Sequence, residues 1–231
     1  MAVTTENTRD MLAKHHRDGA WFANLMVETY PNRFNDEFWT VWQSLMTPAF
    51  SDSPTVLDLG SGPAMFIKDL IKRYPDTQAI GVECAPYMLD AMGDLPKGAS
   101  VIEADLQDPT LTLADGSVDG VIASVVLHEM NQPIRTLKEI HRCLKPGGRF
   151  YILDWVRSPL SQYLAAESDE ALVFGDEMSV DELDSLFVHF VEHNRFSRED
   201  LAYMLEHTGY RIIDNTPLRE GRFARLVAEK V

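Results

Sequence analysis

The sequence is poor in several things that would mark particular kinds of protein. Of its 231 residues only two are cysteines, Cys84 and Cys143, and their spacing forms neither a disulfide framework nor a zinc motif. That usage fits a reducing compartment, so a cytoplasmic location is expected and no metal site is. No stretch approaches the ~20 apolar residues of a membrane-spanning helix, so no membrane partner is expected. Residues 1–10 are polar and lack the apolar core of a secretory signal. Repeats and low-complexity tracts are missing. Positive charge is scarce: 21 lysines and arginines against 36 acids give a formal net charge of −15, and the basic residues do not cluster. A protein that neutralises phosphates usually carries a basic face, so this balance speaks against DNA or RNA as a partner. The 45% hydrophobic content is ordinary for a globular chain, and the length suffices for one α/β domain with a sizeable core.

The most informative stretch is Val56-Leu57-Asp58-Leu59-Gly60-Ser61-Gly62-Pro63-Ala64. The apolar run Thr55 to Leu59 reads as a buried strand, and Ala64 to Tyr74 reads as a helix. Between them lies a Gly-x-Gly turn. Strand, glycine loop and helix in that order make a nucleotide site, because glycines let both the chain turn and a ligand approach. The helix N-terminus adds unpaired N–H groups. Two details choose among nucleotides. The dinucleotide fingerprint's third glycine is absent, Ala64 standing near its place. Asp58 also puts a carboxylate just before the turn, which disfavours a pyrophosphate and favours a ligand carrying an ammonium. S-adenosylmethionine has that ammonium and no phosphate.

Further along, Ala79 to Val82 reads as a second strand ending on Glu83, an acid 21 residues after Gly62. A carboxylate there can accept both hydroxyls of a ribose. Cys84 and Met88 follow as polarizable walls for an adenine; Cys84 has no basic neighbour in sequence that would make it a reactive thiol. Ser100 to Ala104 reads as a third strand, followed by Asp105-Leu106. Asp119 to His128 is a nearly continuous apolar run and its exit, as in a central parallel strand. Pro133 to Leu144 reads as an amphipathic helix, stopped by Lys145-Pro146-Gly147-Gly148, with a strand at Phe150 to Leu153.

These segments resemble the class I S-adenosylmethionine-dependent methyltransferases over residues 54–231, five motif positions falling in order. The resemblance implies a doubly wound, mostly parallel seven-stranded sheet of Rossmann-like type with an antiparallel last strand, and S-adenosyl-L-methionine as cofactor. It implies that Asp58, Gly60, Ser61 and Gly62 hold the cofactor's amino-acid end and Glu83 its ribose. Asp105 would take the adenine amino group, Leu106 would offer a backbone N–H, and Ser124 would line the methionine end. The Leu-Lys-Pro-Gly-Gly phrase recurs at this place in the family, as a turn. The Asn-Pro-Pro-Tyr type motif of base-amine methylation and a Pro-Cys nucleophile are both absent, which weighs further against a nucleic-acid substrate.

The flanks are less informative. Residues 1–16 read as a tail that becomes helical. Trp21, Phe22, Leu25, Met26 and Val27 fall at helical spacing, and after Pro31 a second helix begins near Asn35 and carries Phe38, Trp39, Trp42, Leu45 and Met46 on one stripe. Residues 1–50 are thus read as a helical cap, packed on the domain edge or forming an aromatic lid. Residues 51–231 form the catalytic domain, with a substrate-side insertion at about 155–195. That insertion is acidic. Its helix, Leu183 to Val191, places His189 and His193 four apart on one face. Ser197 and Asp200 mark the start of the last helix. Tyr210 to Ile213 and Phe223 to Ala228 read as closing strands joined by Asn215 to Gly221.

The expected function is methylation of a small-molecule metabolite at N or O, with acids near the rim tilting toward an amine. The alternatives are an RNA or protein methyltransferase, or a non-catalytic cofactor-binding protein. His128, at the mouth of the sheet, is a candidate general base or a structural hydrogen-bonding group, with His193 and His189 behind it. The oligomeric state stays open, a homodimer among the options.

Overall fold

A computed structural model describes residues 5–16 and 18–231, without the side chains of residues 14 and 15. The tail at residues 1–4 lies outside the described residues. Three helices come first: α1 (Thr5–His16), α2 (Gly19–Arg33) and α3 (Asp36–Leu45). Asp18 and Asn35 cap the second and third, each side chain accepting a backbone N–H of the first turn, from Trp21 and Phe38. A second helix was expected to begin near Asn35, after Pro31, and Asn35 does cap it; α2 itself runs through Pro31 to Arg33. Trp21 and Val27 do not join the buried stripe; Trp21 is 60% exposed.

The sheet and its helices follow: β1 (Thr55–Leu59), α4 (Met65–Arg73), β2 (Gln78–Glu83), α5 (Pro86–Ala91), β3 (Ala99–Glu103), β4 (Val118–Ser124), α6 (Ile134–Cys143) and β5 (Leu144–Trp155). After β5 come α7 (Leu160–Glu167), α8 (Glu170–Val173), α9 (Val180–His193) and α10 (Arg198–Glu206), then β6 (Tyr210–Leu218) and β7 (Phe223–Lys230). The strand order is β3-β2-β1-β4-β5-β7-β6. All neighbours are parallel except β7, which runs antiparallel between β5 and β6. This is the seven-stranded, doubly wound sheet expected from the sequence.

Strand alternation sorts the core into two layers. Leu57, Leu59, Phe150 and Ile152 face α6 and α10. Val56, Ile122, Tyr151 and Leu153 face α3 and α4. The aromatic stripe of α3 belongs to that second layer: Trp39 stacks on Phe66 of α4 at 5.7 Å, and Trp42 and Phe38 lie against Tyr151 of β5. It is core, and no part of it forms a lid.

Two boundaries differ from expectation for the same reason, the reach of sheet pairing. Lys145 to Gly148 was read as a turn before the fifth strand. Leu144 already pairs with Val118, and the phrase bulges out before pairing resumes at Gly120 and Arg149. Likewise Asn215 to Leu218 was read as a connection, yet it pairs with β7 as far as Leu218 opposite Phe223, after an irregularity between Ile212 and Asp214.

Candidate functional site

The strand order reverses direction between β1 and β4, and the crevice outside their carboxyl ends is where an open sheet of this kind takes ligands. A cavity sits there. It is lined by the loop after β1, the ends of β2 and β4, the turn after β3, and residues of α1 and α2.

The loop is held by its neighbour strand. The N–H groups of Gly60 and Ser61 both donate to the carbonyl of Val82, at 2.9 and 3.0 Å. Gly60 and Gly62 have φ of +64° and +50°, and a Cβ on Gly60 would collide with Val126. Gly62 donates its N–H to Glu83 Oε2 at 2.9 Å, while Cys84 and Ala85 donate theirs to Oε1 at 2.8 Å. Burial raises the Glu83 carboxyl above its usual range, and these three N–H groups pull it back part of the way. With three of about four acceptor positions in use, Glu83 has room for one further hydroxyl rather than the expected two.

Asp58 is the strongest chemical signal. It is only 4% exposed, and no described residue donates a hydrogen bond to it. Burial, then the Glu83 charge, raise its carboxyl well above the usual range; Arg33 acts the other way. A buried carboxylate without a donor is costly unless a cation arrives. The hydroxyls of Ser61 and Ser124, also on the cavity, are buried without partners. These orphaned groups fit a zwitterionic ligand end bearing an ammonium. Next to Ser124, Val125 takes φ +58°, a left-handed value that a β-branched residue rarely adopts.

Cys84, Met88, Asp105 and Leu106 line the same cavity. Burial pushes the Cys84 thiol up to about 12, so it is no nucleophile. Asp105 Oδ1 accepts the Gln107 N–H at 2.8 Å, and Oδ2 accepts the Thr8 hydroxyl at 2.7 Å. Thr8 belongs to α1, which together with α2 covers the cavity. His16 at the end of α1 bonds Glu129 at 3.0 Å and the Tyr87 hydroxyl, and stacks on Phe22 at 3.7 Å. Arg9 ties α1 down further, on the Cys84 carbonyl at 2.8 Å and on Glu103.

The candidate bases are placed differently from expectation. His128 is buried but does not line this cavity, although Ser124, Val126, Glu129 and Met130 around it do. The short 3₁₀ turn Leu127–Glu129 sends its ring the other way, where Nδ1 meets Asp154 Oδ1 at 2.6 Å. Asp154 Oδ2 also accepts the N–H groups of Val126 and Leu127, at 3.2 and 2.6 Å. Burial alone would lower the His128 imidazole, but the Asp154 charge and hydrogen bond outweigh it and raise it. His193 joins that group: its ring lies 5.2 Å from His128 and stacks on Trp155 at 4.7 Å, with His189 at 5.5 Å. It too lies off the cavity wall. No cluster of His, Cys, Asp or Glu able to hold a metal ion exists among the described residues, and none of their helices is long and apolar enough to cross a membrane.

Sequence reasoning missed Thr8, His16 and Arg33. They lie on α1 and α2, far in sequence from the motifs, and reach the cavity through packing alone; no local pattern marks them.

Comparison with known proteins agrees with this geometry. Residues 57–152 match the family model described as a methyltransferase domain. The malonyl-[acyl-carrier protein] O-methyltransferase of Laribacter hongkongensis is 38% identical over 104 residues, 40% of this chain and 34% of that protein. The chain spans about a third of the length of such curated relatives. Among solved structures, a SAM-dependent methyltransferase from Aquifex aeolicus superposes with TM-score 0.63 at 18% identity, covering 93% of this chain and 99% of that one. Human N-acetylserotonin methyltransferase in complex with SAM superposes with TM-score 0.59 at 18% identity, over 99% of this chain and 60% of that one. At those identities the likeness speaks for the fold. Taken with the glycine loop, Asp58 and Glu83 gathered on one cavity, the comparisons show that residues 57–152 match a methyltransferase domain, within a Rossmann-like fold shared with solved S-adenosylmethionine-dependent methyltransferases.

Proposed function

We propose that the protein transfers a methyl group from S-adenosylmethionine to a small-molecule metabolite. The observation that carries this is Asp58: a buried carboxylate without a donor among the described residues, beside a left-handed glycine loop and within reach of the Glu83 charge. In this reading Asp58 pairs the cofactor's ammonium, and the Gly60–Gly62 loop with Ser61 and Ser124 surrounds its amino-acid end. Glu83 accepts one ribose hydroxyl. Asp105 and Leu106 meet the adenine edge, and Cys84 and Met88 flank it. When bound, the cofactor supplies an electrophilic methyl group on a sulfonium.

The chain's own part is to orient the acceptor and exclude water. The cover of α1 and α2 over the cavity supports a small acceptor rather than a polymer. The net charge of −15 supports the same choice. His128 and His193, turned from the cavity, serve this reading as positioning residues that hold the β4 exit, with Asp154 between the turn and the ring. The tilt toward an amine is weakened, because three of the insertion acids have local structural partners: Glu167 pairs Arg222, Asp169 caps α8 and Glu182 completes the capping box of α9.

The test is titration calorimetry with S-adenosylhomocysteine, then cofactor turnover with a panel of phenols, carboxylic acids, amines and thiols. Tight binding with turnover of one class is expected. Absence of S-adenosylhomocysteine binding would sink the reading, and binding without turnover on any acceptor would leave a cofactor-binding protein.

A further inference from the structure

Arg33 lines two cavities. One is the cofactor cavity; the other, of about 200 Å³, lies between α3 and the β5–β7 part of the sheet. Its wall includes Tyr151 and Leu153 of β5 and Phe223 of β7. Leu153 pairs with Ser124, so this second hollow opens level with the carboxyl ends of the central strands. Neither the motifs nor the cofactor explains it.

Its charge is unexpected in so acidic a chain. Arg33, Arg219 and Arg225 border it. Arg225 is satisfied by Asp214 at 2.7 Å and by Thr216 at 3.0 Å. Among the described residues no carboxylate bonds the other two, although Arg33 feels the charge of Asp58 and Arg219 that of Glu167. Among the described residues, half-buried Arg33 donates only to the Thr29 hydroxyl at 3.3 Å and toward the Met26 sulfur at 3.9 Å, and its buried Nε has no partner. Arg219, exposed at the rim, rests its guanidinium 4.7 Å from the Phe223 ring centre and 5.4 Å from that of Trp155. Burial and then the Arg219 charge lower the Arg33 guanidinium, so the two cations feel each other. The acid on this wall, Glu37, is exposed and bonds neither arginine. Arg219 and Glu220 both hold left-handed φ, +47° and +58°, in the turn that carries Arg219 to the rim.

Two guanidinium groups left facing one hollow make a receptor for a planar or tetrahedral anion, which each can meet with paired N–H donors. We propose that this cavity binds the anionic group, a carboxylate or a phosphate, of the methyl acceptor, between Arg33 and Arg219, with Tyr151 and Phe223 as its apolar wall. The proposal rests on the methyltransferase reading and adds the acceptor's class. Arg33, common to both cavities, then places the anchored acceptor at the border of the cofactor site.

The experiment uses the full chain saturated with S-adenosylhomocysteine. Benzoate, inorganic phosphate and neutral benzamide are titrated by calorimetry into wild type, Arg219→Gln and Arg219→Lys. Benzoate or phosphate should bind and benzamide should not, the better anion naming the group. Arg219→Gln should weaken anion binding by about tenfold or more, Arg219→Lys should retain part of it, and S-adenosylhomocysteine affinity should stay within about twofold in both. Failure of wild type to bind either anion, or undiminished binding in Arg219→Gln, overturns the proposal. An Arg33→Gln variant that loses S-adenosylhomocysteine affinity yet keeps anion binding also overturns it, by assigning Arg33 to the cofactor's own carboxylate. If S-adenosylhomocysteine itself does not bind, the methyltransferase reading fails first, and the two failures are told apart.

Discussion

The carboxylate of Glu83 accepts the backbone N–H of Gly62 at 2.9 Å, joining the end of β2 to the turn after β1 across 21 residues of chain. One side chain therefore shapes the loop and faces the ligand. Glu83→Ala removes the acceptor of three N–H groups, two buried and that of Gly62 partly buried. It should lower stability by about 1–3 kcal/mol and weaken S-adenosylhomocysteine binding by a similar amount. Urea melts and calorimetry read the two separately; unchanged cofactor affinity would remove the ribose role.

Asp58 predicts a conflict between stability and binding. Its folded carboxyl is raised above its unfolded value by burial, so the unliganded fold loses stability as pH rises through the interval between the two. Asp58→Asn should melt higher than wild type at pH 7 without cofactor, with the advantage shrinking below about pH 4. The same variant should bind S-adenosylhomocysteine at least tenfold more weakly, from loss of about 1.5–3 kcal/mol of charge-assisted bonding. An Asn variant that melts lower at neutral pH and binds equally well would contradict both halves.

His128 carries the opposite sign. Its imidazole is raised by Asp154, so the pair's contribution is fully present below the usual value near 6.5 and is lost as pH rises through the raised folded value. The melting-temperature gap between wild type and His128→Gln should be widest in mild acid and should narrow on the alkaline side. A gap that does not change with pH would show that the charge on the ring does not matter to the fold.

The bond from Thr8 to Asp105 couples the cover to the adenine side. Asp105→Ala should speed amide hydrogen exchange along α1, Thr5–His16, as well as weaken cofactor binding. Exchange in α1 that stays at the wild-type rate would show that Arg9 and His16 suffice to hold it.

What could be read from the sequence followed from how local its cause was. Gly60, Gly62, Glu83 and Asp105 stand at strand ends in a fixed order, so spacing alone brings them to one rim. The capping box of α10 at Ser197 and Asp200 was equally plain, since both partners lie within one turn. The side to which His128 points was not legible, because a single 3₁₀ turn decides it. Nor was the partnership of Arg33 with the site, which needs α2 to be laid across the loop. The start of α3 near Asn35 was legible as well, while Pro31 lies inside α2 because proline forbids one hydrogen bond but does not stop a helix that tertiary packing supports.

The placement of β7 has a consequence for synthesis. Until residues 223–230 have been made, nothing occupies the flank of β5, and β6 has no strand to pair with. A growing chain therefore carries an open, apolar ledge from the completion of β5 until β7 is made, with Tyr151 and Ile152 beside it. Stalled or prematurely ended copies would be strand donors for one another, and the acidic surface of the chain is what would keep such fragments apart.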